Sequence, residues 1–179
     1  HAWVFSWDGA GRPASACDPS GKTESYAFDA AGRLTGRTQR DGASVTQTWD
    51  ANDRLTGVTA SGEAVTYTYD AAGNPLTMTD PSGTTTMTWD LLGRRLSKTD
   101  PSGKTMAFTY TSAGRLRTVT YPGGKVLTRD YDAEGRLWRL TDWLGNRTTF
   151  QYDATGRVTE VALPNGTRTE YTWDAAGRL

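Results

Sequence analysis

The stretch Tyr69-Asp70-Ala71-Ala72-Gly73 decides the fold, because a version of it returns every 20 or 21 residues along the chain. The aromatic–Asp pair recurs at Trp7-Asp8, Phe28-Asp29, Trp49-Asp50, Trp89-Asp90, Tyr131-Asp132, Tyr152-Asp153 and Trp173-Asp174. A ninth copy, Tyr110-Thr111, keeps the aromatic and loses the acid. Glycine stands three residues after the acid position in eight copies, among them Gly73, Gly135 and Gly156, and Asp53 takes its place in the remaining one. Most copies continue Arg-Leu, as at Arg54-Leu55 and Arg136-Leu137. A fixed period of this length is the signature of a stacked repeat architecture.

Within one period, Val45, Gln47 and Trp49 alternate with Ser44, Thr46 and Thr48, the patterning of a strand with one covered face. Asp50 to Asp53 reads as a turn, since Asp accepts nearby backbone N–H groups and the fourth place tolerates a left-handed backbone. Arg54 to Thr59 reads as the return strand. A second turn recurs as Asp18-Pro19-Ser20-Gly21, Asp80-Pro81-Ser82-Gly83 and Asp100-Pro101-Ser102-Gly103, where Pro at the second place and Gly at the fourth suit a type I turn. Each period is therefore strand, turn, strand, turn, and successive strands pair antiparallel.

Fifteen of the 19 aromatic residues fall in two phases of the repeat, the recurring aromatic and the place two residues before it. Residues i and i+2 share a face, so these rings are expected to form a buried ladder, and truncating Tyr67 or Phe108 is expected to cost about 3–5 kcal/mol. The other face is mostly Thr. In the return strand, apolar residues stand three apart, as in Leu55/Val58 and Leu116/Val119, which breaks strict alternation; a bulge reconciles it, and a helix, the other reading, is opposed by Thr-rich flanks and by Pro or Gly within a few residues. About seventeen short strands result. Strongly twisted open sheets rarely exceed ~10 strands without curling, so one long antiparallel curled sheet, a spiral or shell wall, is expected over residues 1–179 as a single array.

The chain has 179 residues, with 20 basic and 20 acidic ones and no net charge, which removes the electrostatic case for nucleic acid. No stretch is apolar enough to insert into a membrane. Cys17 is the only cysteine, so no internal disulfide forms, and a lone thiol reads as a small buried filler. His1, the only histidine, reads as a terminal remnant. No cofactor or metal is implied: the dense Gly/Asp pattern of calcium-binding β-rolls is missing. Asp and Arg at a spacing of four, such as Asp29 and Arg33, read as turn-stabilising pairs, because nine identical active sites would be implausible. An enzyme is not expected.

These residues resemble the YD-repeat, or RHS-repeat, family, whose signature is aromatic-Asp-x-x-Gly-Arg-Leu followed by a Pro/Gly turn. The resemblance covers the whole chain in nine copies. It implies a β-ribbon wound into a hollow shell, as in bacterial polymorphic-toxin carriers, insecticidal toxin-complex cocoons and teneurins. In the carriers that shell encloses a toxic C-terminal domain. The expected function is a structural wall segment, secreted or at the cell surface, most often of the bacterial envelope. The alternative is an adhesion or glycan-binding module. The structural repeat residues are Trp49, Asp50, Tyr69, Asp70, Gly73, Trp89, Asp90, Tyr131, Asp132, Gly135, Arg136, Tyr152, Asp153 and Gly156. Trp138 and Trp143 lie outside the two regular phases and are candidate partner contacts. The chain opens on Trp3 to Trp7 and closes on Arg178-Leu179, inside a repeat, so it reads as part of a longer chain. Both edges are expected to meet further repeats, and an enclosed polypeptide is a candidate cargo.

Overall fold

The computed structural model describes residues 2–179; His1 lies outside them. Seventeen strands form, their pairings are antiparallel, and the described residues contain no helix. The chain divides into two compact units, up to Met87 and from Thr88 on. The first holds β1 (Val4–Trp7), β2 (Pro13–Cys17), β3 (Thr23–Phe28), β4 (Leu34–Thr38), β5 (Ser44–Trp49), β6 (Leu55–Ala60), β7 (Glu63–Tyr69), β8 (Pro75–Asp80) and most of β9 (Gly83–Trp89). The second holds β10 (Arg95–Thr99), β11 (Thr105–Tyr110), β12 (Leu116–Thr120), β13 (Val126–Tyr131), β14 (Leu137–Thr141), β15 (Arg147–Tyr152), β16 (Val158–Ala162) and β17 (Arg168–Glu170). In each unit every strand pairs with its sequence neighbours, so the expected chain of tandem hairpins is what forms.

The recurring Asp starts a three-residue loop. In the Asp29 copy the Gly32 amide donates to the Asp29 carbonyl and the Asp29 amide donates to the Arg33 carbonyl, both at 3.0 Å. That closure needs a left-handed residue in the fourth place. Gly73 meets it at φ +90° and Asp53 at φ +61°.

The hairpins closed by the turn after the recurring aromatic carry one extra residue on the return strand, whereas the alternate hairpins, such as β6 with β7, pair without a shift. Trp49 faces Leu55 while Thr48 faces Gly57, so Thr56 has no opposite number. The same shift sets Tyr110 against Leu116 and Tyr152 against Val158. This bulge resolves the spacing of three: Leu55 and Val58 face Trp49 and Gln47, two residues of one face. Gly57 is fixed by the same geometry, since a Cβ there would stand 2.7 Å from the Thr48 hydroxyl. On the opposite face hydroxyls pair across strands, as in Thr68–Thr77 at 2.7 Å and Thr109–Thr118 at 2.6 Å.

The aromatic ladder is not a closed core. Val119 and Ala16 are the buried apolar residues among those described, and no large side chain is fully buried. Tyr67, Tyr69, Phe108, Tyr131 and Tyr152 are half-buried. In a single layer of strands a ring is covered by its neighbours within the sheet and not by a second layer. Cys17 is likewise half-buried.

Candidate functional site

The recurring residues converge on one contact set, repeated from hairpin to hairpin. Asp50 anchors one copy. Its Oδ1 accepts the amides of Asn52 at 2.8 Å and Arg54 at 3.0 Å, and its Oδ2 accepts Arg54 Nε at 2.7 Å. The amide of Arg54 and its guanidinium hold the Asp50 carboxyl below its ordinary pKa against the opposing cost of desolvation. Arg54 then reaches forward: its Nη1 donates to the Asp70 carbonyl at 2.7 Å, and its guanidinium carbon lies 4.9 Å from the centre of the Tyr69 ring. Tyr69 reaches back, its hydroxyl donating to the Leu55 carbonyl at 2.7 Å. Asp50, Arg54, Leu55, Tyr69 and Asp70 thus clasp one hairpin to the next.

The backbone explains why that carbonyl is free to accept. Pairing between β6 and β7 begins at Gly57–Thr66, beyond the bulge, so the Leu55 carbonyl takes the Tyr69 hydroxyl. The arrangement repeats with Asp132, Arg136, Tyr152 and Leu137: Arg136 Nε meets Asp132 at 2.7 Å, its guanidinium carbon sits 4.8 Å from the Tyr152 ring, and Tyr152 donates to Leu137 at 2.7 Å. A tryptophan serves as well. Trp49 Nε1 donates to Leu34 at 2.8 Å, with Arg33 6.0 Å from its ring. Tyr131 donates to Leu116 at 2.8 Å. Asp90 pairs with Arg94, which covers Tyr110, and Asp153 pairs with Arg157.

The departures have local solutions. Asp53 replaces glycine, and Arg33 of the preceding copy reaches it at 2.7 Å. Asn74 replaces arginine and donates to Asp70 at 2.9 Å. Thr111 replaces the acid and accepts only the Arg115 amide, at 3.1 Å, so the Arg115 guanidinium has no carboxylate among the described residues. Gly135 leaves room for it: an added Cβ would collide with the Arg115 guanidinium.

Trp138 and Trp143 do not meet in one site. Trp138 is the extra residue of the β14 bulge, whereas Trp143 sits in the turn after β14, edge-on to Tyr121 at 6.1 Å with Lys125 5.1 Å from its ring. Sequence reading missed Glu24, a buried acid held below its ordinary pKa by Arg37 first and by Tyr26, with Arg40 3.5 Å away. No three His, Cys, Asp or Glu side chains gather as a metal set among the described residues.

A family model described as the teneurin YD-shell matches residues 4–142, and an RHS-repeat model matches residues 131–168 and 152–179. Solved structures share the fold. The crystal structure of TcdB2-TccC3 aligns at TM-score 0.73 with 18% identity, covering 96% of this chain and 11% of that one. The same assembly without its hypervariable C-terminal region aligns at 0.72 with 17% identity over 97% and 11%. The chain therefore spans about a tenth of the length of these structures. No curated protein matches the sequence.

Proposed function

The chain belongs to the teneurin YD-shell family, and from that membership we propose that it is a non-catalytic stretch of shell wall, secreted or at the cell surface, that encloses or presents a cargo such as a toxin domain. The supporting observation is the clasp. The recurring Asp, Arg and Tyr are engaged in tying each hairpin to the next, as in Asp50, Arg54 and Tyr69. A wall made this way extends by adding hairpins, and the nine copies serve as one array whose neighbours are further repeats of the same kind.

β1 supports that partner. Among the described residues it pairs with β2 alone, Phe5 and Trp7 are 60% and 63% exposed, and no arginine covers the Trp7 ring. A preceding hairpin ending in Arg-Leu would supply both the guanidinium and the carbonyl that the later aromatics receive. Sedimentation of the 179-residue chain over a concentration series tests this. Association is expected as concentration rises, and Phe5→Lys is expected to suppress it by placing a charge on the open edge. A monomer at every concentration would contradict the reading. The second reading, a surface glycan-binding module, is favoured by a depression in the second unit lined by Arg117, Arg129, Trp138 and Arg139.

A further inference from the structure

The turns that join a return strand to the strand after it are polar at Asp80-Pro81-Ser82-Gly83 and Asp100-Pro101-Ser102-Gly103, where a serine hydroxyl folds onto the aspartate. The turns after β12, β14 and β16 differ. They read Tyr121-Pro122-Gly123-Gly124, Asp142-Trp143-Leu144-Gly145 and Leu163-Pro164-Asn165-Gly166. Antiparallel pairing sets all three at the same end of their strands. They also touch: Trp143 meets Tyr121 edge-on at 6.1 Å, and Leu163 and Pro164 border one depression with Asn146 and Arg147. Trp143, Leu144 and Leu163 are 48%, 76% and 42% exposed, so this rim is apolar at its outermost points. None of these three side chains serves the clasp.

The polar groups of the rim are answered within their own turns. The Tyr121 amide donates to the Lys125 carbonyl at 2.7 Å and the Gly124 amide to the Tyr121 carbonyl at 3.1 Å, and the turns at Asp142 and Leu163 close in the same way. The Asp142 carboxylate accepts the amides of Leu144 and Asn146 and the Asn146 side-chain amide, each at 2.9 Å. Groups satisfied in this way lose least when water is displaced from around them. The charge of the rim has also shifted. Tyr121 and Leu163 stand where Asp80 and Asp100 bring an acid. Lys125 Nζ lies 5.1 Å from the Trp143 ring. Lys125 and Arg147 are exposed, and neither joins an ion pair among the described residues. The chain carries no net charge, so the attraction these cations offer is local to the rim.

We propose that Trp143, Leu144 and Leu163, flanked by Lys125 and Arg147, dock the chain on an anionic phospholipid surface. Indole and phenol rings settle at headgroup level, where one end of the ring is apolar and the other wet. The leucines reach the acyl boundary, and the ammonium and guanidinium meet the lipid phosphates. The docking is peripheral and no segment spans the bilayer. A protein partner fits less well, because apolar groups on separate turn tips demand a surface shaped to interdigitate with them, whereas lipid conforms. This surface goes beyond the wall reading and does not depend on it.

Flotation with vesicles of phosphatidylcholine, alone and with about 30% phosphatidylglycerol, tests it. Trp143→Pro with Leu144→Ser restores the Asp-Pro-Ser-Gly turn already present at Asp80 and Asp100, so this variant is expected to keep the fold. Lys125→Thr with Arg147→Thr copies residues that occupy the same places at Thr167 and Thr105. Binding to the anionic vesicles is expected, weakened about tenfold by either double change and by high salt. Absence of binding to anionic vesicles, equal binding to neutral ones, or undiminished binding by the Trp143/Leu144 variant would each overturn the proposal. Sedimentation showing that this variant has lost self-association would assign the rim to a second copy of the chain and overturn it as well.

Discussion

Truncating Tyr69 to alanine is expected to destabilise the fold by about 2–3 kcal/mol. A fully buried aromatic costs about 3–5 kcal/mol on removal. Tyr69 is half-buried, so the packing share is about half of that, roughly 2 kcal/mol. The lost hydroxyl leaves the Leu55 carbonyl without its 2.7 Å partner, which adds about 1 kcal/mol. Arg54 loses the ring it lies over at 4.9 Å. Tyr69→Phe keeps the ring and is expected to cost only the hydroxyl share, about 1 kcal/mol. Urea unfolding of the two variants separates these shares. A loss below about 1 kcal/mol for Tyr69→Ala would place the ring outside the structural frame.

Acid is expected to unfold the chain cooperatively. Twelve aspartates, from Asp8 to Asp174, are held below their ordinary pKa in the folded state. For Asp29 the leading cause is the Arg33 guanidinium, and for Asp153 it is the Thr155 hydroxyl. A carboxyl with a depressed folded pKa binds fewer protons when folded than when unfolded. Its stabilisation is therefore complete above the unfolded value near 3.8 and is lost as pH falls through the lower folded value. Stability is expected to be flat from neutral pH to about pH 5 and to fall steeply below about pH 4. Many of the bonds come from backbone amides and hydroxyls, so high salt is expected to change the transition little. Thermal melting from about pH 7 to about pH 2 measures it. An unchanged midpoint at the acid end would mean that the Asp turns contribute nothing.

The period, the turns and the antiparallel pairing were legible in the sequence because each depends on local chemistry: alternation in Val45 to Trp49, Gly73 at a left-handed position, Pro81 in a turn. The bulge was legible too, since Leu55 and Val58 cannot share a face without one. The depth of the core was not. Alternation shows that one face is covered better than the other, and a ring can be covered by its strand neighbours alone. The forward reach of Arg54 to the next hairpin was also hidden, because its acceptor is the Asp70 carbonyl and the acceptor of Tyr69 is the Leu55 carbonyl. Backbone atoms carry no signature in a side-chain motif. The Asp–Arg pairing was read within one turn, where Asp29 and Arg33 do meet at 2.7 Å, and its extension to Asp53 of the following copy was missed. Trp138 and Trp143 looked like one feature because they share a short segment. The bulge and the next turn assign them to different ends of β14.

A double-mutant cycle on Arg54→Ala and Tyr69→Ala bears most directly on the idea that these residues tie one hairpin to the next. The two side chains belong to successive copies and meet only through the clasp, the guanidinium over the ring and the ring's hydroxyl on the residue after the arginine. If the clasp holds neighbouring hairpins together, the double variant loses less than the sum of the single losses, by about 1 kcal/mol. If the losses simply add, each hairpin stands on its own and the clasp does not exist as a unit.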